Sequence, residues 1–228
     1  MSVPVFATHA VIRAALPEES ADIYSFYQAK RDRNVLPRPE ADLKQSAEKG
    51  LFFIATKSSE IVAVAGAFDL EYSPYVELGG TFVESSLRGF GLQRLLFQLR
   101  IAATVINQGP EVRLLTAIDP MNKHSVNNAL KSGFISWEEP TPVMFESCEG
   151  CHKRDLAKLS NRRCCCDVFI LPDKSVEAEL KEFLARTEGS LSLRRARDND
   201  ILAVTIESRL LKPAYRLALT EFASGKRW

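Results

Sequence analysis

A glycine-containing turn that runs straight into an apolar helix is the feature that most constrains this chain. Residues 83–96 hold the end of an apolar strand, a short turn with Arg88, Gly89 and Gly91, and the start of a helix. The helix is indicated by apolar residues spaced three and four apart, at Leu92, Leu95, Leu96, Leu99, Ala103 and Ile106. Glycines permit close approach to the main chain, and the first N–H groups of a helix lack partners within it. The segment therefore predicts a binding site for a phosphate or diphosphate.

A second informative segment lies further along the chain. An apolar strand from Val112 is followed by Asn122 and Ser125, a short helix, and then Gly133 and Phe134. Asn122 stands where a helix is commonly capped, and Gly133 stands where a helix commonly ends. The spacing predicts a capped helix between two strands.

Together the two segments resemble the GNAT superfamily of acyl-CoA N-acyltransferases. The first is similar to the Arg/Gln-x-x-Gly-x-Gly/Ala signature of that family, with Arg88 and Gly91 in register and Gln93 in place of the final small residue. The second is similar to its pattern of strand, Asn-x-x-Ala/Ser, helix and Gly-Phe. The first segment lacks both the Gly-Lys-Ser/Thr ending of a Walker loop and the glycine pattern of dinucleotide-binding folds.

The resemblance implies a GNAT-like α/β fold, in which a mixed, mostly antiparallel central sheet is flanked by helices. The predicted element order, β-α-α-β-β-β-α-β-α-β, matches that core over about residues 9–140, and a final strand is expected at 167–171. We expect a GNAT-type domain at 1–171, with a cysteine-rich insertion at about 146–166, and a helical C-terminal extension at 172–228. Helical spacing in the extension occurs around Val176, Ile201 and Leu217. These helices would pack on the core, form a dimer contact or cover the acceptor site.

The resemblance also implies that acetyl-CoA is the acyl donor and which residues contact it. The main chain of Phe82, Val83 and Glu84 would pair with the pantetheine arm like an added strand. Asn122 would either bind pantetheine or order the start of its own helix, where Ser125 lies. The diphosphate would be surrounded by Leu87, Arg88, Gly89, Phe90, Gly91, Leu92 and Gln93.

Acyl transfer to an amine needs a base, because an ammonium group with a pKa near ~10 must lose a proton before it attacks. Glu77 stands six residues before Val83, where the resemblance implies a glutamate base, and strand alternation predicts that both side chains share one face. A salt-bridged carboxylate is the alternative for Glu77, and Glu84 is a second candidate base. Many family members carry a tyrosine as proton donor at the position of Ala129, so the acid stays unassigned.

The acceptor is expected to contact the basic segment between the first two helices, residues 31–38. This stretch is similar to the corresponding part of N-acetylglutamate-synthase-like acetyltransferases, and Arg33 or Arg38 would then bind a substrate carboxylate. A solvated basic loop is the alternative. The expected reaction is acetyl transfer to the amine of a small molecule by direct attack on the thioester. A protein N-acetyltransferase and a non-catalytic acyl-CoA-binding regulatory domain are the other candidates.

All five cysteines lie within residues 148–166. Cys148, Cys151, Cys164 and Cys166 have a spacing compatible with a structural zinc site. Free thiols in a loop and a redox role are the alternatives, and the odd number of cysteines argues against a full disulfide framework.

Composition argues against several other classes of protein. The chain has 30 basic and 29 acidic residues, so no overall field attracts nucleic acid or a membrane surface. Arg194, Arg195 and Arg197 are followed by two aspartates, which favours a solvated face. No apolar run reaches the ~20 residues of a spanning helix, and the N-terminus lacks the features of a signal peptide. We therefore expect a cytoplasmic protein that uses acetyl-CoA and an amine-bearing acceptor, with a homodimer as an open alternative.

Overall fold

A computed structural model describes residues 8–30, 35, 38–70, 74–109, 111–137, 166–187, 191–195 and 200–225. Its strands are β1 (Thr8–Ala14), β2 (Phe52–Lys57), β3 (Glu60–Asp69), β4 (Tyr75–Val83), β5 (Arg113–Ile118), β6 (Ile135–Ser136), β7 (Asp167–Leu171), β8 (Leu191–Arg194) and β9 (Ile201–Glu207). Its α-helices are α1 (Ser20–Lys30), α2 (Glu40–Glu48), α3 (Leu92–Gln108), α4 (Lys123–Lys131), α5 (Asp173–Arg186) and α6 (Pro213–Ala223). Short 3-10 turns occupy Pro17–Glu19, Ser85–Leu87 and Arg209–Leu211.

The described strands form one sheet in the order β6-β7-β5-β4-β3-β2-β1-β9-β8. Neighbouring strands are antiparallel except in the pairs β4–β5 and β1–β9, which are parallel. The predicted mixed, mostly antiparallel sheet flanked by helices is therefore confirmed. From β1 to α4 the elements also follow the predicted order, because the strands alternate with period two and the helices show three- and four-residue spacing.

The sheet separates two apolar layers. On one face α1 and α2 pack through Ile23, Tyr27 and Leu43 against Phe52 and Phe68 of β2 and β3. On the other face α3 is almost entirely buried, and α5 and α6 of the C-terminal extension pack beside it. Because side chains along a strand alternate, β2 and β3 serve both layers at once.

The predicted alternation along β4 is wrong after Gly79. The pairs Gly66–Gly79 and Val64–Phe82 leave two residues of β4 opposite one residue of β3, so β4 contains a bulge. Gly80 takes a φ of 58° there, a left-handed conformation that glycine adopts without steric cost. The extra residue reverses the alternation, so Phe82 shares the face of Glu77, and Val83 lies on the opposite face.

The C-terminal extension contains two of the three predicted helices. The helix predicted from Ile201 to Leu211 is wrong: Ile201–Glu207 is strand β9, which pairs in parallel with β1. Ile201, Val204, Ser208 and Leu211 have helical spacing, but the run between them is rich in β-branched residues. Pairing with β1 buries Leu202 and Val204 on one side of the strand. The extension therefore continues the central sheet, while the expected boundary at residue 171 stays a prediction.

Among the described residues, none of the helices combines the length and the apolar character that crossing a membrane requires.

The burial of β9 predicts that the extension stabilises the whole molecule. Leu202 is fully buried, so Leu202→Ala should lower the free energy of unfolding by about 2–5 kcal/mol. Leu217 is 62% exposed, and Leu217→Ala should change it by less than about 0.5 kcal/mol. Urea unfolding followed by circular dichroism measures both. Equal small effects of the two variants would show that β9 does not belong to the stable core.

Candidate functional site

A gap between β4 and β5 lies at the centre of the candidate site. The two strands pair only at Tyr75–Arg113, Val76–Leu114 and Glu77–Leu115. Beyond that, Thr116 Oγ1 donates to Leu78 O at 2.9 Å, while the last residues of β5 pair with β7 and the last residues of β4 pair with β3. The strands therefore diverge after Leu78. We call this opening the β4–β5 gap.

The β4–β5 gap contains main-chain groups of β4 that face away from β3. Glu84 N–H donates to Val62 O of β3 at 2.9 Å. In an antiparallel pair successive residues direct their polar groups to opposite sides, so the N–H and C=O of Val83 point toward the gap. This edge is the one that the sequence predicted to pair with pantetheine.

Residues 85–91, which we call the glycine loop, connect β4 to α3. Gly91 caps α3 with a φ of 83°, and a side chain added there would meet no atom within 4 Å. The first N–H that donates inside the helix is that of Leu95, to Gly91 O at 3.1 Å, so the N–H groups of the preceding turn have no partner within α3. The exposed end of α3 is thus rich in hydrogen-bond donors and carries the positive end of the helix dipole.

The side chains of the predicted diphosphate site divide into two groups. Leu87, Phe90 and Leu92 are buried in the core, so these residues offer only main chain to a ligand. Arg88 turns back over β4, where its Nε donates to Val83 O at 3.0 Å and its guanidinium lies 5.8 Å from the Phe82 ring centroid. Gln93 accepts a 3.3 Å hydrogen bond from Asn128 Nδ2, which connects the start of α3 to α4.

Asn122 orders the start of α4. Its side chain accepts a hydrogen bond from the Ser125 N–H at 3.1 Å, which is the capping role that the sequence offered as one of two alternatives. Ala129, where the resemblance implies a tyrosine, is buried against the core on the same helix. A contact of Asn122 with pantetheine stays a prediction.

Glu77 forms a buried ion pair with Arg38. The Arg38 Nη2 donates to Glu77 Oε2, and the guanidinium also stacks on Phe68, with 4.3 Å to the ring centroid. Burial favours the neutral form of Arg38, but the Glu77 carboxylate outweighs it and holds the pKa of Arg38 above its ordinary value. The structure therefore brings together the predicted base, Glu77, and a residue predicted to bind a substrate carboxylate, Arg38, although the two are far apart in sequence.

The absence of a side chain at Gly79 leaves room for this ion pair. A Cβ added at Gly79 would lie 3.0 Å from Glu77 Oε1 and 3.2 Å from Arg38 Nη2. The carboxylate thus gives one oxygen to Arg38 and turns the other toward the bare main chain of β4.

The second candidate base, Glu84, is also paired. Lys30 at the end of α1 donates to Glu84 Oε1, and the ammonium group lies 5.3 Å from the centroid of Phe26. Phe26 contacts Phe82 edge to face. Aromatic and charged side chains from α1 and β4 therefore flank the end of the β4–β5 gap.

Arg195 contacts the glycine loop, a contact that sequence analysis missed. Its Nη2 donates to Ser86 O, its guanidinium lies 4.2 Å from the Phe90 ring centroid, and a Cβ at Gly89 would lie 3.3 Å from its Cγ. The sequence favoured a solvated basic face at this position. No local pattern could have shown the contact, because Arg195 follows β8, which reaches the glycine loop only through the pairing of β9 with β1.

Several predicted residues lie outside the described part of the chain. These are Arg33 and three of the four zinc candidates, Cys148, Cys151 and Cys164. Cys166 is described, and it is half-buried just before β7. Within the described residues, no three histidine, cysteine, aspartate or glutamate side chains are grouped so as to hold a metal ion.

No family model and no curated protein matches this chain. It is similar to solved structures, among them an acetyltransferase of the GNAT family from Streptococcus pneumoniae, at 13% identity over 71% of this chain and 96% of that one, with a TM-score of 0.48. Rv2747 from Mycobacterium tuberculosis, in complex with CoA, is 15% identical over 70% and 97% of the two chains, with a TM-score of 0.46. N-acetylglutamate synthase from Neisseria gonorrhoeae, with coenzyme A and N-acetyl-glutamate, is 14% identical over 71% and 34%, with a TM-score of 0.45. At these values the likeness carries no argument about this chain, and its chemistry has to be inferred from its own residues.

The buried ion pair predicts a large effect on stability when one partner is removed. Arg38→Met would leave the Glu77 carboxylate buried and uncompensated, which should lower the free energy of unfolding by about 3–5 kcal/mol. The double variant with Glu77→Gln should recover most of that loss. Arg13→Met, which removes a partly exposed pair with Glu19, is the control and should cost less than about 1 kcal/mol. Urea denaturation measures all three free energies of unfolding. An Arg38→Met variant that is as stable as the Arg13→Met control would contradict this account of the pair.

Proposed function

We propose that this chain is a GNAT-type, acetyl-CoA-dependent N-acetyltransferase that transfers an acetyl group to the amine of a small molecule. The β4–β5 gap carries the proposal. It presents main-chain groups along β4 and lies beside a bulge, and the glycine loop with the N-terminus of α3 follows directly from β4. Acetyl-CoA carries its thioester, its amide-containing pantetheine arm and its diphosphate in the order in which the reaction site, the β4 main chain and the glycine loop follow one another.

The chain's own groups fit each part of such a donor. The N–H of Val83 provides a hydrogen bond of the kind that an added strand makes, its C=O can accept a second one beside that from Arg88 Nε, and pantetheine carries amides of the same kind. The glycine loop and the unpaired N–H groups at the start of α3 provide a site for a dianionic group. Arg88 and Arg195 raise the positive potential around the loop.

Glu77 is the proposed base. The amine nitrogen attacks the thioester carbonyl carbon, a C–N bond forms and the C–S bond breaks, and the surplus proton of the amine passes to Glu77. The carboxylate oxygen that faces Gly79 would accept this proton through a water molecule, while Arg38 fixes the other oxygen. The ion pair thus orients the carboxylate toward the bare main chain of β4.

The departing thiolate takes its proton from solvent in this proposal. Ala129 has no proton to give, and a thiol with a pKa near ~8.5 is a tolerable leaving group at neutral pH. The rate of transfer should therefore depend little on any acid from α4.

The acceptor is proposed to enter from the side of α1 and α2, since Glu77 and Phe82 lie on that face of β4 and Arg38 contacts Glu77 there. A substrate carboxylate would have to share the Arg38 guanidinium with Glu77. A cytoplasmic location, a homodimer and a structural zinc site stay predictions.

Two measurements on the purified protein test the proposal. Calorimetry with CoA should give a defined heat of binding, and thiol release from acetyl-CoA should rise with at least one member of a panel of amino acids, polyamines and peptides. Turnover with peptides alone would favour a protein acetyltransferase. Binding without turnover would favour the non-catalytic regulatory domain, a possibility that the buried Ala129 keeps open.

Glu77→Gln should separate chemistry from binding. The amide keeps the size of the side chain and its contact with Arg38 but accepts no proton, so kcat should fall about 10²–10⁴-fold. The dissociation constant for CoA should stay within about twofold, because Glu77 lies away from the glycine loop. Steady-state kinetics and calorimetry measure the two quantities. An unchanged kcat over the whole pH range would remove Glu77 from the mechanism.

Arg195→Ala should weaken CoA binding about three- to tenfold, that is by up to ~1.4 kcal/mol, because the glycine loop loses a cation and a hydrogen bond to Ser86. Arg194→Ala is the matched control, since Arg194 is exposed on β8 and should leave the affinity unchanged. Calorimetry at two salt concentrations measures both. Equal affinities of the two variants would show that Arg195 plays no part in binding.

A further inference from the structure

The face of the sheet that carries Glu77 continues from β4 onto β5 and β7, away from α1 and α2. In the parallel pair of β4 and β5, Glu77 stands beside Leu115, and in the antiparallel pair of β5 and β7, Leu115 stands beside Ile170. Because side chains alternate along a strand, the next pair on this face is Ala117 and Val168. The surface next to the proposed base is therefore apolar.

Two aromatic side chains belong to this surface. Tyr75 lies on β4 two residues before Glu77, and Trp137 follows β6, where its main-chain N–H donates to Val168 O at 2.9 Å. Their rings meet edge to face with 5.0 Å between the centroids, and both side chains are half-buried. These residues form one apolar cluster. We call its members Tyr75, Leu115, Ala117, Trp137, Val168 and Ile170 the aromatic patch.

The end of the aromatic patch at Ala117 adjoins the β4–β5 gap. Ala117 comes directly after Thr116, whose side chain makes the hydrogen bond to Leu78 O beyond which the two strands diverge. Trp137 bonds to Val168, the residue that pairs with Ala117. Ala117 is half-buried and carries a single methyl group, so an acceptor can approach the sheet most closely there.

The charged side chains at the two ends of the aromatic patch already have partners. Arg38 is paired with Glu77, and Asp42 of α2 adds a second carboxylate that raises the pKa of Arg38. At the other end, Arg113 donates to the Tyr75 hydroxyl at 3.2 Å, and its guanidinium lies 5.8 Å from the Tyr75 ring centroid. A carboxylate on the acceptor would have to compete with Glu77 and Asp42 for Arg38, or with the phenol for Arg113. A second ammonium group would have to lose water among apolar side chains, which is strongly unfavourable.

Apolar surroundings also suit the reacting group. The acceptor amine has to be neutral when it attacks, and an apolar environment disfavours the charged form and so lowers the pKa of an ammonium group. The proton that is lost passes to Glu77, which lies on the same face of the sheet. The aromatic patch therefore favours an amine whose remaining atoms carry no charge.

We propose that the aromatic patch is the acceptor subsite, and that the acceptor is a primary amine joined by a short linker to an aromatic ring and lacking a carboxylate. This inference rests on the proposed function, because it names the substrate class of the same site. The amine would lie between Glu77 and the β4–β5 gap, and its ring would lie over Ala117 against the indole of Trp137, since aromatic rings pack favourably edge to face. The reaction stays the same: the C–N bond forms, the C–S bond breaks, Glu77 takes the surplus proton of the amine, and the thiolate takes a proton from solvent.

The choice of amine by the unmodified chain is the first test. 2-Phenylethylamine and L-phenylalanine differ only by the carboxylate, and 1,4-diaminobutane replaces the ring by a second charge. With acetyl-CoA at saturation, we expect kcat/KM from thiol release to be at least about tenfold higher for 2-phenylethylamine than for the other two amines. An equal or higher kcat/KM for either of them would overturn this inference and leave the proposed function in place.

Trp137→Ala tests the position of the subsite. The ring of 2-phenylethylamine should lose its contact with the indole, so its kcat/KM should fall about tenfold through KM, whereas that of propylamine, which has no ring, should stay within about twofold. The ratio of the two values is the readout, because a loss of folded protein lowers both in proportion. Tyr24→Ala, which removes an exposed ring from α1, is the matched control and should leave the ratio unchanged.

Ala117→Leu is the second variant should Trp137→Ala fail to fold. The larger side chain would occupy the place of the acceptor ring, so the same ratio should fall while the dissociation constant of CoA is retained. A ratio within twofold of the unmodified chain in either folded variant would overturn the assignment of the subsite. If the unmodified chain neither binds CoA nor releases thiol with any of these amines, the proposed function itself is overturned, and this inference with it.

Discussion

One extra residue in β4 organises the middle of this molecule. The bulge at Gly80 reverses the alternation of the strand, so that Glu77, Gly79 and Phe82 face α1 and α2 while Leu78 and Val83 face α3. Main-chain carbonyls displaced by the bulge would be costly if left without partners in the interior. From the two layers, Arg100 of α3 donates to Gly79 O and Tyr27 of α1 donates to Gly80 O, and an irregularity in the sheet thereby becomes a fixed arrangement of peptide groups.

The helix α3 connects this arrangement to the glycine loop. Its first turn, capped by Gly91, has N–H groups without partners inside the helix, and Arg100 lies further along the same helix, where it contacts Gly79 O. A helix rises ~1.5 Å per residue and is stiff, so the distance between the proposed diphosphate site and the proposed reaction centre is set by the helix itself. The nearly complete burial of α3 by the sheet, α5 and α6 keeps that distance constant.

The two buried arginines near the bulge both have partners. Arg38 and Arg100 are both buried, and each is compensated: Arg38 by the Glu77 carboxylate, and Arg100 by three main-chain oxygens. Buried charges persist only with such partners, because the cost of removing an ion from water is several kcal/mol. Arg195 of the C-terminal extension contacts the glycine loop, although β8 is at the edge of the sheet. The proposed binding site therefore depends on the folding of β8 and β9.

The local patterns of the sequence determined most of the fold. Periods of two and of three to four predicted the order of the elements from β1 to α4. Asn122 marked the start of α4 and Gly133 its end, because these features depend on neighbours in the chain. Only the tertiary structure decided the rest. The ion pair of Glu77 and Arg38, the contacts of Tyr27 and Arg100 with the bulge, and the pairing of β9 with β1 all join residues that are distant in sequence. Such contacts depend on how the layers pack and on which strand edge is free to pair. Ile201 and Val204 have helical spacing, but this segment forms strand β9 because the edge of β1 is available for pairing.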